Sequence, residues 1–289
     1  MMQLQPFKMK PKLKNNLSCQ FSFKGLGTEF YILTSKALSK SLQQQIVGKK
    51  DKFEQEFSRF LPSSELSKLN NQKYLINPSQ EMLSMLQYAL KTYEVTRGLF
   101  NISVGGRLEQ LGYGLPADNY AKISQNLLED IKIKKNEVTI NENIRLDFGG
   151  FGKGWFIDKL GAFLEENNIN SYLINGGGDI KVGNQPSLVY IENPLNKDQY
   201  IGTATLVNQG FTASSNLKRQ WASQLTGKQE QHIVQPNLDQ LHSNILMSAV
   251  IAKNTLEADI LATMLLLTDQ HWMYKLASSN AEFCLVGPN

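Results

Sequence analysis

Asp147-Phe148-Gly149-Gly150-Phe151-Gly152-Lys153-Gly154 is the stretch on which the reading of this chain turns. Leu146-Asp147-Phe148 has the character of a strand end, and four glycines follow within six residues. Helical spacing then runs from about Lys153 to Asn167, with Ile157, Leu160 and Leu164 on one face. Beyond it, Ser171 to Ile174 and Ile180 to Val182 read as strands separated by Gly176-Gly177-Gly178. The middle of the chain is therefore a strand–helix–strand unit with a glycine-rich entry. Glycines let the backbone approach a ligand closely and turn its N–H groups inward. A helix N-terminus adds partial positive charge and Lys153 a full one, which makes a plausible cradle for a pyrophosphate. It is not a Walker A loop, because Gly154 stands where Ser or Thr is needed, and its spacing is not G-x-G-x-x-G. Taken alone, the segment also fits a simple tight turn.

Outward from this unit, short strands and helices alternate without a repeat or low-complexity tract. Phe21 to Phe23 and Glu29 to Leu33 read as a strand pair around Gly25-Leu26-Gly27. Helical patterns run from about Leu38 to Phe57 and from Glu81 to Val95, the second entered from Pro78-Ser79 and closed by Gly98. Phe60 to Leu66 is a turn feeding a short helix, and Glu137 to Ile140 and Ile144 to Asp147 read as short strands. Further strands are expected near Leu188 to Ile191, Gly202 to Val207, Ile245 to Ile251 and Glu282 to Val286. Thr255 to Leu267 is a strong helix, with Asn254 as N-cap and Glu257 completing a capping-box-like pair. Many separated strands mixed with helices predict an α+β protein, a single domain over residues 20–289 preceded by a basic, flexible arm over 1–19.

Bulk properties narrow the function. The chain has 289 residues, 41% apolar and 19% charged, ordinary for a globular protein with a sizeable core. A net charge of +4 is too small and dispersed to argue for nucleic acid. Lys8, Lys10, Lys12 and Lys14 form the main basic cluster, read as a solvated terminus. Cys19 and Cys284 are too far apart in sequence to suggest a disulfide framework or a metal knuckle. No stretch is long and apolar enough to span a bilayer, and none of signal-peptide length precedes Cys19.

Three further constellations carry chemistry. Asn175-Gly176-Gly177-Gly178-Asp179 follows a strand, and its glycines serve a turn, close packing or a ligand; Asp179 alone is an ordinary turn residue. In Thr255 to Thr263, Asp259 and Thr263 are spaced i, i+4 and share a face of an otherwise apolar helix. A carboxylate and a hydroxyl suit a hard cation such as Mg²⁺; a side-chain hydrogen bond within the helix is the alternative. His232, in Gln231-His232-Ile233-Val234-Gln235-Pro236, is a possible general base near neutral pH, whereas His242 and His271 lack supporting context.

In order and spacing these blocks resemble the ApbE-like FAD:protein FMN transferases, once described as thiamine biosynthesis lipoproteins. The matching residues run from Gly27-Thr28 through Phe57 to Ser67, Gly98-Leu99-Phe100, Gly112-Tyr113-Gly114 and Leu146 to Gly154 with Asp158. They continue through Gly177-Gly178-Asp179-Ile180, His232 to Pro236 and Ala258 to Thr263, nearly the whole chain. The resemblance implies a T-fold-like α+β architecture, with mixed, largely antiparallel sheets and packed helices and with FAD in a cleft. It implies Mg²⁺ held by the side chains of Asp259 and Thr263 and by the backbone carbonyl of Gly152, where an alanine is usual. Asp158 matches a residue near metal and phosphates, Lys153 could neutralise charge in transfer, and His232 matches a proposed catalytic base. Ser64, Glu65, Gly149, Gly150, Lys153, Gly177, Gly178 and Asp179 fall in segments matching the FAD-binding cleft. The implied reaction moves FMN from FAD onto a Thr or Ser of an acceptor flavoprotein and releases AMP. Many relatives are exported lipoproteins; as it stands the sequence is expected to be cytoplasmic, or exported and membrane-associated if a signal has been removed.

The chain departs from the family pattern at several points. Gln235 replaces an Asp, and Asn237-Leu238 replaces Thr-Gly. Asn101, Ser103 and Gly105 stand in a block where Asp, Thr and Pro are common, and Ser214-Ser215-Asn216 replaces Thr-Ser-Gly. Asn tolerates the left-handed backbone a glycine would adopt, so Asn216 is a mild change. The alternatives are a Mg²⁺-dependent FAD pyrophosphatase, with water as nucleophile, and a non-catalytic FAD-binding protein.

Overall fold

The computed structural model describes residues 2–3, 17–114, 121–217, 220–223, 226–236, 244–268 and 281–287. Lys8, Lys10, Lys12, Lys14, Asn237-Leu238, His242 and His271 lie outside them. The chain forms two compact units whose segments interleave: Met1–Lys50, Phe151–Leu217 and His242–Asn289 make one, and Asp51–Gly150 with Lys218–Leu241 make the other. Where sequence reading expects one domain over 20–289, no single cut separates these units, because each draws on separated parts of the chain.

The first unit is built on a seven-stranded sheet in the order Glu282–Val286, Met247–Ala252, Gly210–Ser215, Asp179–Val182, Tyr172–Gly176, Thr28–Thr34, Cys19–Gly25. Every neighbouring pair is antiparallel. Alternation decides its faces: in Thr28–Thr34, Phe30, Ile32 and Thr34 are buried while their neighbours are more exposed. Two hairpins have two-residue turns in the left-handed region. Leu26 and Gly27 (φ 49° and 71°) join the first, Gly177 and Gly178 (φ 71° and 104°) the second.

One face of this sheet packs on a smaller sheet of Met2–Gln3, Asn196–Leu206 and Ser187–Asn193. Leu173, Ile180, Phe211, Met247 and Ile251 meet Val189, Ile191 and Leu206 there in one buried cluster. From the other face, Val250 and Ala252 pack against Ala258, Ala262 and Leu265 of the helix Thr255–Leu267. The helix Gly152–Glu166 also packs on this side of the unit, buried through Phe156, Ile157, Leu160 and Leu164.

The second unit holds a small antiparallel sheet, Tyr74–Ile76, Glu137–Ile140 and Ile131–Lys134, and the hairpin Gln220–Ala222 with Gln229–Gln231. The helices Glu65–Gln72 and Gln80–Val95 begin at Ser64 and Ser79, whose hydroxyls accept from the N–H groups of Ser67 and Met82. Gly98, at φ 84°, follows the second helix as its spacing predicts.

Three expectations differ from the structure. Ile144 to Asp147 is not a strand; it makes one isolated parallel bridge, Val104 to Arg145. Its backbone is held by a side chain instead: Asn70 donates to the Leu146 carbonyl (2.9 Å) and accepts its N–H (2.7 Å), imitating a strand neighbour. Of the arm expected over 1–19, the residues described are ordered: Met2 and Gln3 pair with Ala204 and Thr203, Leu17 is buried and Cys19 opens a strand. Gly210–Ser215 is a central strand that sequence reading misses, since Gly, Thr, Ala and Ser give little apolar alternation.

Candidate active site

The glycine-rich segment opens the helix Gly152–Glu166 of the first unit, and Gly154 explains its placement. A Cβ there would lie 2.7 Å from the Thr255 carbonyl oxygen and 2.9 Å from Asp259 Cβ. Only glycine allows this approach to the helix Thr255–Leu267, and it brings the Gly154 N–H to Asp259 Oδ2 at 3.0 Å. Lys153 forms a short ion pair with Asp179 and lies 4.0 Å from Asp259 Oδ2. Asp179 and Asp259 are 2% and 3% exposed, so an ammonium faces two carboxylates that are shielded from water. Sequence reading placed Lys153, Asp179 and Asp259 in three separate motifs; the structure brings them together. Gly177 and Gly178 form the turn immediately before Asp179, where the Asn175 side chain accepts the Gly178 N–H at 3.0 Å. Thr263 lies one turn beyond Asp259 on the same helix and is half-buried.

Asp158 has a different task from its neighbours. Its Oδ1 accepts from Thr255 N–H (3.1 Å) and Lys181 Nζ (2.9 Å), and its Oδ2 accepts from Leu256 N–H (2.8 Å). Asn254 Oδ1 accepts from Glu257 N–H at 2.8 Å, and the Asn254 carbonyl from Ala258 N–H at 3.2 Å. Three leading N–H groups that lack an intrahelical partner, those of Thr255, Leu256 and Glu257, are thus met by side chains, two of them by Asp158. Ala258 makes the first bond of the helix ladder. Asp158, expected as a catalytic group, is in this structure an anchor for the helix that carries Asp259 and Thr263.

In the second unit, Arg59 gathers the remaining matched segments. Its side chain is 3% exposed, ion-paired closely with Asp147, and donates to the Tyr113 carbonyl at 2.9 Å. Its guanidinium carbon lies 4.4 Å from the centre of the Phe60 ring and 5.2 Å from that of Tyr113. Tyr113 meets Phe60 edge-on (5.7 Å) and stacks on Trp221 (4.9 Å). Asp147 Oδ1 also accepts the Gly149 N–H at 2.7 Å, which turns that amide inward. Gly150 is half-buried beside Phe100. Ser64 and Glu65 serve the scaffold: the Ser64 hydroxyl donates to the Ser58 carbonyl (2.7 Å), and Glu65 accepts the Ser79 N–H (3.2 Å). His232 follows the strand Gln229–Gln231 and is half-buried.

A model of the ApbE family matches residues 26–285, most of the chain. The chain belongs to the ApbE family. Among curated relatives, "FAD:protein FMN transferase" of Vibrio cholerae is 22% identical over 262 residues, covering 84% of this chain and 78% of the relative. The Escherichia coli protein of the same name is 24% identical over 245 residues, covering 76% and 69%. Among solved structures, "Flavin Transferase ApbE from Vibrio cholerae" superimposes with a TM-score of 0.75 at 19% identity, covering 93% of each chain. The ApbE protein of Thermotoga maritima gives 0.78 at 20% identity, covering 93% of this chain and 94% of that one. These likenesses establish the α+β ApbE fold.

Departures from the ApbE pattern have local reasons. Asn101 donates to the Ser124 carbonyl (3.0 Å) and accepts from Ser103 N–H and Oγ (2.9 and 2.7 Å). A carboxylate could not make the first of these bonds. Asn216 does not take the left-handed backbone expected of it; its amide instead donates to the Ile245 carbonyl at 3.0 Å.

The ApbE resemblance implies Mg²⁺, and the donor set fits it. Among the described residues no three His, Cys, Asp or Glu side chains cluster as metal ligands. Mg²⁺ needs fewer, since it keeps waters and phosphates in its shell. Asp179, Lys153 and Asp259 together carry one net negative charge in a buried setting, and Thr263 adds a hydroxyl on the Asp259 face. Sequence reading missed Arg59, Lys181 and Thr212. Thr212 is fully buried, is registered opposite Asp179, and its hydroxyl has no hydrogen-bond partner among the described residues. Gly114 was a signal for Arg59: its Cβ would lie 2.8 Å from Nη1.

Proposed function

We propose that this chain is a Mg²⁺-dependent FAD:protein FMN transferase that acts on a Thr or Ser hydroxyl of an acceptor flavoprotein. The observation that carries the reading is Lys153 set between the buried carboxylates Asp179 and Asp259 at a glycine-opened helix start. Such a group of charges suits a cation and a pyrophosphate, and it lies in a chain whose curated relatives are named for FMN transfer. Bound Mg²⁺, held by Asp259, Thr263 and the Gly152 carbonyl, would neutralise pyrophosphate charge. Lys153 supplies a further positive charge to the phosphates. Within the second unit, Phe60, Tyr113 and Trp221 form an aromatic surface suited to a flat ring such as a flavin. The acceptor oxygen attacks the FMN phosphorus, a new P–O bond forms, the bond to the AMP oxygen breaks, and AMP leaves. His232 takes the hydroxyl proton. Catalysis of this kind rests on positioning and charge neutralisation.

The test is intact-mass analysis of a flavin-acceptor domain incubated with the protein, FAD and Mg²⁺, with an EDTA control. One FMN added per acceptor, and none with EDTA, is the expected result. AMP release without an adduct, repeated across several acceptor domains, would mark a pyrophosphatase and overturn the transferase reading.

A further inference from the structure

Arg59 is buried, yet it reaches three separate parts of the second unit. Through Asp147 it holds the Gly149 amide, through the Tyr113 carbonyl it holds the turn Gly112–Gly114, and its own neighbour is Phe60. Phe60 is 47% exposed, an unusual setting for a ring whose position is fixed by a buried cation. Trp221 is fixed as well: its indole N–H donates to the Leu111 carbonyl at 2.7 Å, one residue before Gly112. Gly114, at φ 102°, leaves the room Arg59 occupies, since a Cβ there would meet Nη1 at 2.8 Å and Phe60 at 2.9 Å. A core ion pair needs no exposed rings arranged around it. A surface for a flat aromatic ligand needs its rings held still, so that binding does not have to order them.

We propose that Arg59 is the positioning residue of the flavin surface, setting Phe60, Tyr113 and Trp221 for the tricyclic ring. The proposal rests on the flavin reading above and adds to it the residue that selects the flavin half of FAD. Lysine keeps the charge but cannot hold Asp147 and the Tyr113 carbonyl with one planar fork. Arg59→Lys should therefore loosen the rings while leaving the buried charge paired.

Titration calorimetry of wild type and Arg59→Lys with FAD, riboflavin and ADP tests this, with melting temperature recorded for each. Stacking on aromatic side chains is worth about 1–3 kcal/mol per base-sized ring, so FAD and riboflavin should each weaken by roughly tenfold. ADP affinity should be unchanged and the melting temperature nearly so. Should Arg59→Lys fail to fold, Asp147→Asn relaxes the same ion pair and should give the same split. Equal binding of all three ligands by wild type and variant would overturn the proposal, as would parallel loss of all three. A wild type that binds ADP but neither FAD nor riboflavin would overturn the flavin reading itself, an outcome seen before any variant is compared.

Discussion

Asp158→Asn separates an anchor from a catalytic group. The carboxylate satisfies two leading N–H groups of the helix Thr255–Leu267 and pairs with Lys181. An amide keeps one acceptor oxygen and turns an NH₂ group toward donors, so at least one backbone N–H loses its partner. Losing a charge-assisted hydrogen bond costs about 1.5–3 kcal/mol. Removing negative charge from a helix N-terminus costs about 0.3–1 kcal/mol more. The Asp158 side chain is 22% exposed, which lets water replace part of the loss, so about 2–3 kcal/mol is expected. For a domain of this size that is a fall of roughly 4–10 °C in melting temperature, read by calorimetry or circular dichroism. Transfer should fall as well and recover in part at higher Mg²⁺, because the helix end that carries Asp259 has loosened. In a double-mutant cycle, Lys181→Met should cost less in the Asp158→Asn background than alone. Lost transfer with an unchanged melting temperature and no recovery in Mg²⁺ would refute the anchor and restore Asp158 to the chemistry.

Asp259→Ala should abolish FMN transfer and Mn²⁺ binding while the protein stays folded. Its melting temperature should still drop, because the Gly154 N–H loses its acceptor at a cost of about 1–3 kcal/mol; intact-mass transfer and calorimetry check both parts. Gly154→Ala should destabilise by about 1–3 kcal/mol, since the new methyl group meets backbone at 2.7 Å in a packed helix contact; a neutral result would show that the two helices separate freely. Burial holds the Glu56 carboxyl above its ordinary range, with Ser79 and Lys52 pulling it partly back. The stability kept by its protonated form is full below the unfolded carboxylate pKa and is lost as pH rises through the higher folded value. Glu56→Gln, which still accepts from the Ser79 hydroxyl, should therefore raise the melting temperature at pH 7 and leave it unchanged at pH 4.

Elements with strong periodicity or a defined end are legible in this sequence. The helix Thr255–Leu267 and its Asn254 cap lie where apolar spacing and capping chemistry put them, and so does the strand Glu282–Val286. The strand Gly210–Ser215 is not legible, because its stability comes from neighbours on both sides and not from its own side chains. Ile144 to Asp147 misleads in the opposite direction. Its apolar alternation is real and buried, but Asn70, more than seventy residues earlier, supplies the pairing. The candidate site shows the same division. Glycines and charged residues were visible as motifs, whereas Arg59 was not, since its partners Asp147 and Tyr113 are brought to it by tertiary packing.

Asp158, Asp179 and Asp259 in the first unit differ in how their charge is met. Asp158 is answered by two backbone N–H groups and a lysine at hydrogen-bond distance, an arrangement that fixes a helix. Asp179 has Lys153 in direct contact. Asp259 accepts the Gly154 N–H at 3.0 Å and lies 4.0 Å from the same ammonium. Under the proposed Mg²⁺ reading, Asp259 is the carboxylate with a second oxygen, that of Thr263, one turn away on the same helix. Lys153 stands between Asp179 and Asp259, with its charge close to both. The Gly154 contact makes this possible, because it brings Asp259 up to the N-terminus of the helix on which Lys153 stands.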